Sequence, residues 1–405
     1  MAERVAVLDL GTTKVVALSA MLNDAGELIA EAVATAPAAG MVKSQVHEPE
    51  KVAIAVESAV RRLQQELGRE VDDFIVTLSG ASVECTLSRG FKPIVPKSRQ
   101  VTRQDVLEVV QHSRSLVFPN DREPIQALPR EFVVDGRRGV RQPVGLEAGN
   151  LEVVTSIVSA HPDQIRAVES CVSRLGKQID QFVFSGMATG VGVLTASEME
   201  AGAAVVDLGA GSTSVCTFSG GSLETLSPVP IGAAMVTSDL AKLLKTTPEE
   251  AERLKTHDGN ALARLVNDLE TVEVMQEGNH QRRPMQRRVL CEIIEARMRE
   301  IAGMVRGHLE RTETLHHLPA GIILAGGGSR LAGVETLFQD VLPEARVKVA
   351  EPKLALRGVA PWSVSAAVGL AAFSLQCFEE LVLAEEVKGW QHRVRTIWSL
   401  LSGRK

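Results

Sequence analysis

The chain has 405 residues, 45% of them hydrophobic, with a formal net charge of −6 and a pI near 5.9. That length and apolar content supply more than one core, so two domains or several subdomains are expected. The acidic balance argues against nucleic acid as the main partner, because such a face needs an excess of Lys and Arg. Five dispersed cysteines (Cys85, Cys171, Cys216, Cys291, Cys377) without a Cys-x-x-Cys pair read as reduced thiols, and the nine histidines show no metal-ligand spacing. Ala2-Glu3-Arg4 runs straight into a strand without the apolar core of a signal peptide, and no segment is apolar for long enough to span a bilayer. A cytoplasmic protein with at most peripheral membrane contact is expected.

Residues 4 to 34 alternate like strands around a turn at Asn23-Asp24-Ala25-Gly26. From Pro49 to Leu67 the apolar residues Val52, Val56, Ala59, Val60 and Leu63 recur at helical spacing, and the strand Phe74-Ile75-Val76-Thr77-Leu78 follows. Between about Ser88 and Val154 six prolines punctuate short strands around a helix starting at Arg103, which marks a small insertion. The α/β order resumes with a strand from Leu151 to Ser159, a helix from Pro162, a strand Phe182-Val183-Phe184 and a helix from Met187. Residues 236 to 304 are helix-rich and charged, with an exposed loop expected at Glu277 to Pro284, and residues 286 to 310 predict a long amphipathic helix.

Three glycine-bearing turns carry the chemistry. Val7-Leu8-Asp9-Leu10-Gly11-Thr12-Thr13-Lys14 recurs later as Val205-Val206-Asp207-Leu208-Gly209-Ala210-Gly211-Ser212. Each copy is an apolar strand that reaches an Asp and then a hydroxyl-lined hairpin, a geometry that offers N–H and O–H donors to phosphate. Two facing copies would grip one polyphosphate from both sides. A third cluster, Ala325-Gly326-Gly327-Gly328-Ser329, follows another apolar strand, and backbone without side chains would let a flat base lie close. Glu252 and Lys255 sit at i and i+3, on one helix face, where an ordinary surface ion pair is the competing reading.

In this order and spacing the three motifs resemble the actin, hexokinase and heat-shock ATPase superfamily. Within it the chain looks most like the FtsA family of bacterial cell-division actin homologues. Gln142-Pro143-Val144-Gly145-Leu146, Val236-Thr237-Ser238-Asp239-Leu240, Pro284-Met285-Gln286-Arg287-Arg288 and Ser363 to Leu370 carry that likeness along nearly the whole chain. The resemblance implies an actin-like two-lobed α/β fold with duplicated ribonuclease H-like domains. Its implied parts are subdomain 1A (1–87, 155–195, 356–376), an inserted subdomain 1C (88–154), 2A (196–235, 305–355), 2B (236–304), a linker (377–387) and a terminal amphipathic helix (388–405). It implies ATP held by Gly11, Thr12 and Thr13 from one lobe and by Gly209, Ala210, Gly211 and Ser212 from the other. Lys14 is either a phosphate contact or an exposed strand lysine. Glu252 and Lys255 would meet the ribose and base, and Gly326, Gly327 and Gly328 would line the adenine pocket. Asp9 and Asp207 would hold Mg²⁺, mostly through waters.

One departure bears on catalysis. Related ATPases place a Gln or Glu at the start of the helix between the phosphate turns to orient the attacking water, and Phe184-Ser185-Gly186-Met187-Ala188-Thr189 has neither. At most a slow ATPase is expected. In the tail, Trp390, Val394, Ile397, Trp398 and Leu401 share one helical face flanked by Arg393 and Arg395, a basic amphipathic segment suited to anionic membrane lipids. By resemblance, the function is a self-polymerising adaptor that tethers FtsZ, through its C-terminal tail, to the inner face of the cell membrane at the septum and helps recruit later division proteins. A small-molecule kinase of the same fold and an MreB-like cell-shape filament are the alternatives.

Overall fold

Two five-stranded sheets share one strand plan. The first runs Gln178–Phe184, Asp73–Leu78, Arg4–Leu10, Lys14–Leu22, Leu28–Pro37, and the second runs Val347–Val349, Ile322–Ala325, Ala203–Leu208, Thr213–Ser219, Ser222–Val229. Each is an antiparallel meander of three strands extended by two parallel ones. The middle strand of each sheet, buried by helices on both faces and therefore rich in Val, Ala and Leu, is the one that reaches Asp-Leu-Gly. The computed structural model describes residues 4–96, 99–114, 121–278, 281–354, 356 and 358–382. The linker beyond 382 and the amphipathic tail, with Trp390 and Trp398, lie outside the described residues.

The first core forms where helix Pro49–Leu67 lays Val52, Val56, Ala59, Val60 and Leu63 against the first sheet. Pro49 suits the helix start, and Gly68 ends the helix in a left-handed conformation that a side chain would strain. The second core forms around helix Arg287–Arg311, which buries Leu290, Ile294, Met298, Ile301, Val305 and Leu309. Each large apolar side chain so buried contributes roughly 1.5–3 kcal/mol before entropy is charged against it. Helix Ser185–Val193 carries the chain from the first sheet toward the second, and helix Ser365–Val382 returns it. The two helices touch at Gly192 and Gly369, where a Cβ on Gly369 would stand 1.7 Å from the Ala188 carbonyl oxygen. Only hydrogen fits that crossing.

The insertion is a four-stranded sheet, Arg137–Val140, Glu123–Val134, Asn150–Ala160, Glu84–Pro93, with helix Arg103–Arg114 on one face. The strand Asn150–Ala160 pairs within this sheet along its whole length, so it runs across the 154/155 boundary drawn from the sequence. Its small core comprises Ile94, Val101, Val109, Phe132, Val134, Ala148, Leu151 and Val153. Asp105, 2% exposed, is paired by Arg99 at 2.6 Å and Lys92 at 3.0 Å and capped by Thr102. Those bonds hold its carboxyl far below the usual carboxylate range. The insertion also reaches the second lobe through Arg130 to Glu224 at 3.4 Å and Ser156 Oγ donating to the Leu223 carbonyl at 3.3 Å.

The helical part of the second lobe contains helices Ala234–Leu244 and Pro248–Arg253, a single π turn Leu254–Asp258, and a hairpin of Thr271–Met275 with Arg282–Gln286. The expected loop from Glu277 to Pro284 is therefore shorter: Arg282, Arg283 and Pro284 are strand residues. Pro284 fits because it lies in an isolated two-stranded ribbon and need not donate a ladder bond on its free side. Among the described residues no helix is long and apolar enough to cross a membrane. Cys85, Cys171, Cys216 and Cys291 are free thiols.

Candidate functional site

The two Asp-Leu-Gly turns face each other across the cleft between the lobes and are built alike. A Cβ on Gly11 would sit 2.7 Å from the Lys14 carbonyl oxygen, and one on Gly209 the same 2.7 Å from that of Ser212. In both turns the hairpin's own backbone fills the space of a side chain. The turns also touch: a Cβ on Gly211 would stand 2.3 Å from Thr12 Oγ1 and 2.9 Å from the Ser44 amide nitrogen. Ser44, at the tip of the short hairpin Met41–Val42 and Gln45–Val46, bonds to Ser212 Oγ at 2.7 Å and to Thr12 Oγ1 at 3.3 Å. A chain of three hydroxyls thus spans the cleft where phosphate oxygens would be received. Thr13 lies at the exposed end of its turn, with its carbonyl accepting from the Ala38 amide at 2.9 Å.

Asp9 and Asp207 occupy equivalent places at the ends of the central strands. Each carboxylate has a threonine donor: Thr77 Oγ1 to Asp9 Oδ1 at 2.8 Å, and Thr189 Oγ1 to Asp207 Oδ2 at 2.7 Å. Neither forms an ion pair within 4.0 Å among the described residues. Burial raises both carboxyls above the ordinary range, against the pull of the threonines and Lys14. The nearby charge of Asp9 adds to the effect on Asp207, which is pushed up to about 6. Two desolvated carboxylates without a bonded cation suit a hard divalent metal. No third His, Cys, Asp or Glu joins them among the described residues, which fits Mg²⁺ held by few carboxylates and completed by water and phosphate.

The third turn lies beside the second. A Cβ on Gly326, whose φ is +79°, would meet Asp207 Oδ1 at 2.3 Å, and one on Gly328 would meet Leu208 Cβ at 2.9 Å and Ala233 Cβ at 3.3 Å. Gly327 has open space, with only the Trp362 ring at 3.7 Å. Ala233 joins the parts together: its amide donates to the Gly209 carbonyl at 2.9 Å, and its own carbonyl accepts from Lys255 Nζ at 3.4 Å. The next amide, Ala234 N–H, donates to the Ala210 carbonyl at 2.9 Å. Lys255 also donates to Thr237 Oγ1 at 3.0 Å and pairs with Glu252 at 2.6 Å. The Lys255 side chain is only 12% exposed and that of Glu252 is 50% exposed, so the pair runs from the interior to the surface. Gly11, Thr12, Thr13, Lys14, Asp9, Asp207, Gly209 to Ser212, Glu252, Lys255 and Gly326 to Gly328 therefore meet at one cleft. The membrane-facing set, Trp390, Arg393, Val394, Arg395, Ile397, Trp398 and Leu401, lies outside the described residues.

Lys14 is half-buried at the cleft, where burial lowers its ammonium pKa against the opposing charges of Asp9 and Asp207. Its Nζ stands 5.3 Å from the centroid of the Trp362 ring. At the start of helix Ser185–Val193, residues 185 to 190 are all buried, and a Cβ on Gly186 would sit 2.6 Å from that of Ser214. The stretch carries no carboxylate or carboxamide of its own. A carboxamide does approach from the insertion: Gln126 Oε1 accepts from the Phe184 amide at 3.2 Å, while its buried Nε2 has no partner. Ser44, Thr77, Gln126, Thr189 and Trp362 all escaped the sequence reading because no motif announces them.

Two facing phosphate-type turns on duplicated sheets, with helices crossing between the lobes, define an actin-like protein, and solved structures agree. The PilM chain of a PilM-PilN type IV pilus biogenesis complex superposes with a TM-score of 0.63 at 17% identity, covering 92% of this chain and 98% of that one. MreB5 of Spiroplasma citri gives 0.56 at 12% identity, covering 94% and 98%. Within that class, residues 204–369 match the family model "Cell division protein FtsA", and residues 80–159 match "SHS2 domain inserted in FTSA". The cell division protein FtsA of Escherichia coli K12 is 32% identical over 374 residues, 90% of this chain and 88% of that protein. The chain belongs to the FtsA family of cell-division proteins.

Proposed function

We propose that the cleft binds ATP with Mg²⁺, and that the protein is a self-polymerising adaptor tethering FtsZ to the inner face of the cytoplasmic membrane and helping to recruit later division proteins. The observation that carries the nucleotide reading is the pair Asp9 and Asp207, desolvated and each hydrogen-bonded by a threonine, between two turns whose hydroxyls and amides face one another. Gly11 to Lys14 and Gly209 to Ser212 would receive the phosphates, the two carboxylates would hold the metal through waters, and Gly326 to Gly328 with Glu252 and Lys255 would take the adenosine. Bound Mg²⁺ would neutralise phosphate charge. The fold neighbour MreB5 was solved bound to ADP, which supports the same ligand class here.

An adaptor reading is supported by a cavity of about 470 Å³ between helices Ala234–Leu244 and Arg287–Arg311, lined by Leu243, Val289 and Ile293 beside Asp239, Arg297 and Glu300. Leu243 is 66% exposed there, and an apolar floor with charged walls suits a short amphipathic peptide such as the FtsZ tail. Hydrolysis would be slow, because the buried start of helix Ser185–Val193 carries no carboxylate or carboxamide of its own to orient water. The test is sedimentation of the full chain with phosphatidylglycerol-containing vesicles, with and without Mg-ATP and an FtsZ tail peptide. The adaptor pellets with the vesicles and carries the peptide down. A chain that stays in the supernatant under every condition, or that turns over ATP at an ordinary enzymatic rate, overturns the reading.

A further inference from the structure

Trp362 is one of three tryptophans in the chain. It lies in the tight turn Pro361–Ser363, which joins the second sheet to helix Ser365–Val382 on the first lobe. Its indole is half-buried and has a neighbour from each lobe. One is Lys14 Nζ of the first lobe, 5.3 Å from the ring centroid; the other is Gly327 of the second lobe, whose added Cβ would be 3.7 Å from Cζ3. Lys14 is drawn electrostatically toward both Asp9 and Asp207, yet its ammonium makes no ion pair within 4.0 Å of either among the described residues. A long flexible lysine beside two desolvated carboxylates would ordinarily close onto them, because attraction grows as the dielectric falls. Here it rests against an aromatic face, which attracts a cation through the ring quadrupole.

We propose that Trp362 is a positioning residue that holds the Lys14 ammonium off the Asp9 and Asp207 carboxylates, reserving that pair for the divalent cation and leaving Lys14 poised for the phosphates of an incoming nucleotide. The inference rests on the reading of the cleft as a Mg-ATP site. Its logic is competitive. Without the ring, Lys14 pairs with the acids and becomes an internal substitute for the metal, so Mg²⁺ must displace it. The indole edge against Gly327 also places the ring beside the adenosine pocket, so its emission should respond when nucleotide enters.

The experiment measures the Mg²⁺ concentration that half-saturates binding of a fluorescent ATP analogue to the full-length protein, with binding without Mg²⁺ as a second arm. Trp362→Leu should raise the half-saturating Mg²⁺ on the order of tenfold, the scale of one desolvated cation–π contact, and should weaken Mg²⁺-free binding by less, since only the Lys14 contact to phosphate is lost there. Trp362→Phe, which keeps an aromatic face, should recover most of the loss. Once Lys14→Met has removed the competing ammonium, Trp362→Leu should no longer matter: the double variant and Lys14→Met alone should need the same Mg²⁺ concentration. In a Trp390→Phe, Trp398→Phe background, Lys14→Met should change the emission of Trp362 in the ligand-free protein. Nucleotide binding with an unchanged Mg²⁺ requirement in Trp362→Leu, or a full Trp362→Leu effect that persists in the Lys14→Met background, overturns the proposal while leaving the nucleotide site standing. If the wild type binds no nucleotide at all, the site reading fails first and the proposal falls with it.

Discussion

Asp207→Asn tests whether the cleft carboxylates are held in want of a cation. In the ligand-free fold the Asp207 carboxyl titrates near 6 instead of 3.8, chiefly because burial disfavours its charge. Between those values the native state keeps a proton that the unfolded chain has released. Stability is therefore fully present below about pH 3.8, falls as pH rises, and levels off above the folded value. The displacement costs roughly 3 kcal/mol in all, about half of which is lost between pH 5 and 8. Asn has the same shape, still accepts from Thr189, and does not titrate. In EDTA, the melting temperature of Asp207→Asn minus that of the wild type should grow by roughly 3–6 °C from pH 5 to pH 8, for a cooperative unit the size of one lobe. Saturating Mg-ATP should then stabilise the wild type and leave the variant almost unmoved. A difference between the proteins that does not change with pH would refute the claim that Asp207 is a desolvated carboxylate, and the reason for placing a metal beside it would go too.

Gly211→Ala puts a methyl group 2.3 Å from Thr12 Oγ1, so the two turns must part; overpacking costs roughly 1–3 kcal/mol, and affinity for an ATP analogue should fall about tenfold with the far-ultraviolet circular dichroism unchanged. Gly327→Val, in open space, should instead leave the melting temperature of the ligand-free protein within about 2 °C and abolish nucleotide binding, as calorimetric titration would show. Leu243→Glu places a charge on the exposed floor of the helical groove and should abolish retention of an FtsZ tail peptide in fluorescence anisotropy, while ATP binding stays intact. Removing residues 390–405 should release the protein from anionic vesicles in a flotation assay without altering nucleotide affinity; equal flotation of truncated and intact protein would assign the tail to a protein interface.

Much of the architecture was legible because it rests on local pattern. The duplicated Asp-Leu-Gly strands, the helix from Pro49 to Leu67 and the glycine turn at Gly326 each announce themselves within a dozen residues. The inserted sheet was legible as a run of Pro-punctuated strands, although its last strand continues to Ala160 because its partners are Glu84–Pro93 and Glu123–Val134, far away in sequence. The supporting side chains of the site were invisible for the same reason. Thr77 meets Asp9 across 68 positions and Ser44 meets Ser212 across 168, and nothing near either residue marks the encounter. Thr189 lay within the stretch singled out for lacking a carboxamide, but its bond to Asp207 depends on the turn of helix Ser185–Val193 toward the second sheet. Lys255 was legible as half of an i, i+3 pair, whereas its bonds to Ala233 and Thr237 needed the fold.

Under the adaptor reading, the distribution of hydroxyls suits a site that senses closure more than one that performs chemistry. Catalytic phosphoryl transfer needs a group fixed on the attacking water, and orientation of that kind accounts for much of the rate. Where such a group would stand, Gly186 is pressed against Ser214, and the neighbouring threonine is spent on Asp207. Three other hydroxyls, on Thr12, Ser44 and Ser212, join one lobe to the other. A triphosphate entering between them would replace one set of cross-lobe bonds with another and so set the angle between the lobes. The helices that join the lobes cross in close contact at Gly192 and Gly369. A ligand that fixes the lobe angle also fixes the surfaces each lobe presents to another copy. Under the adaptor reading, that is the use to which ATP is put: the nucleotide selects a filament-competent shape, and slow hydrolysis keeps the shape long enough for many weak membrane tails to act together.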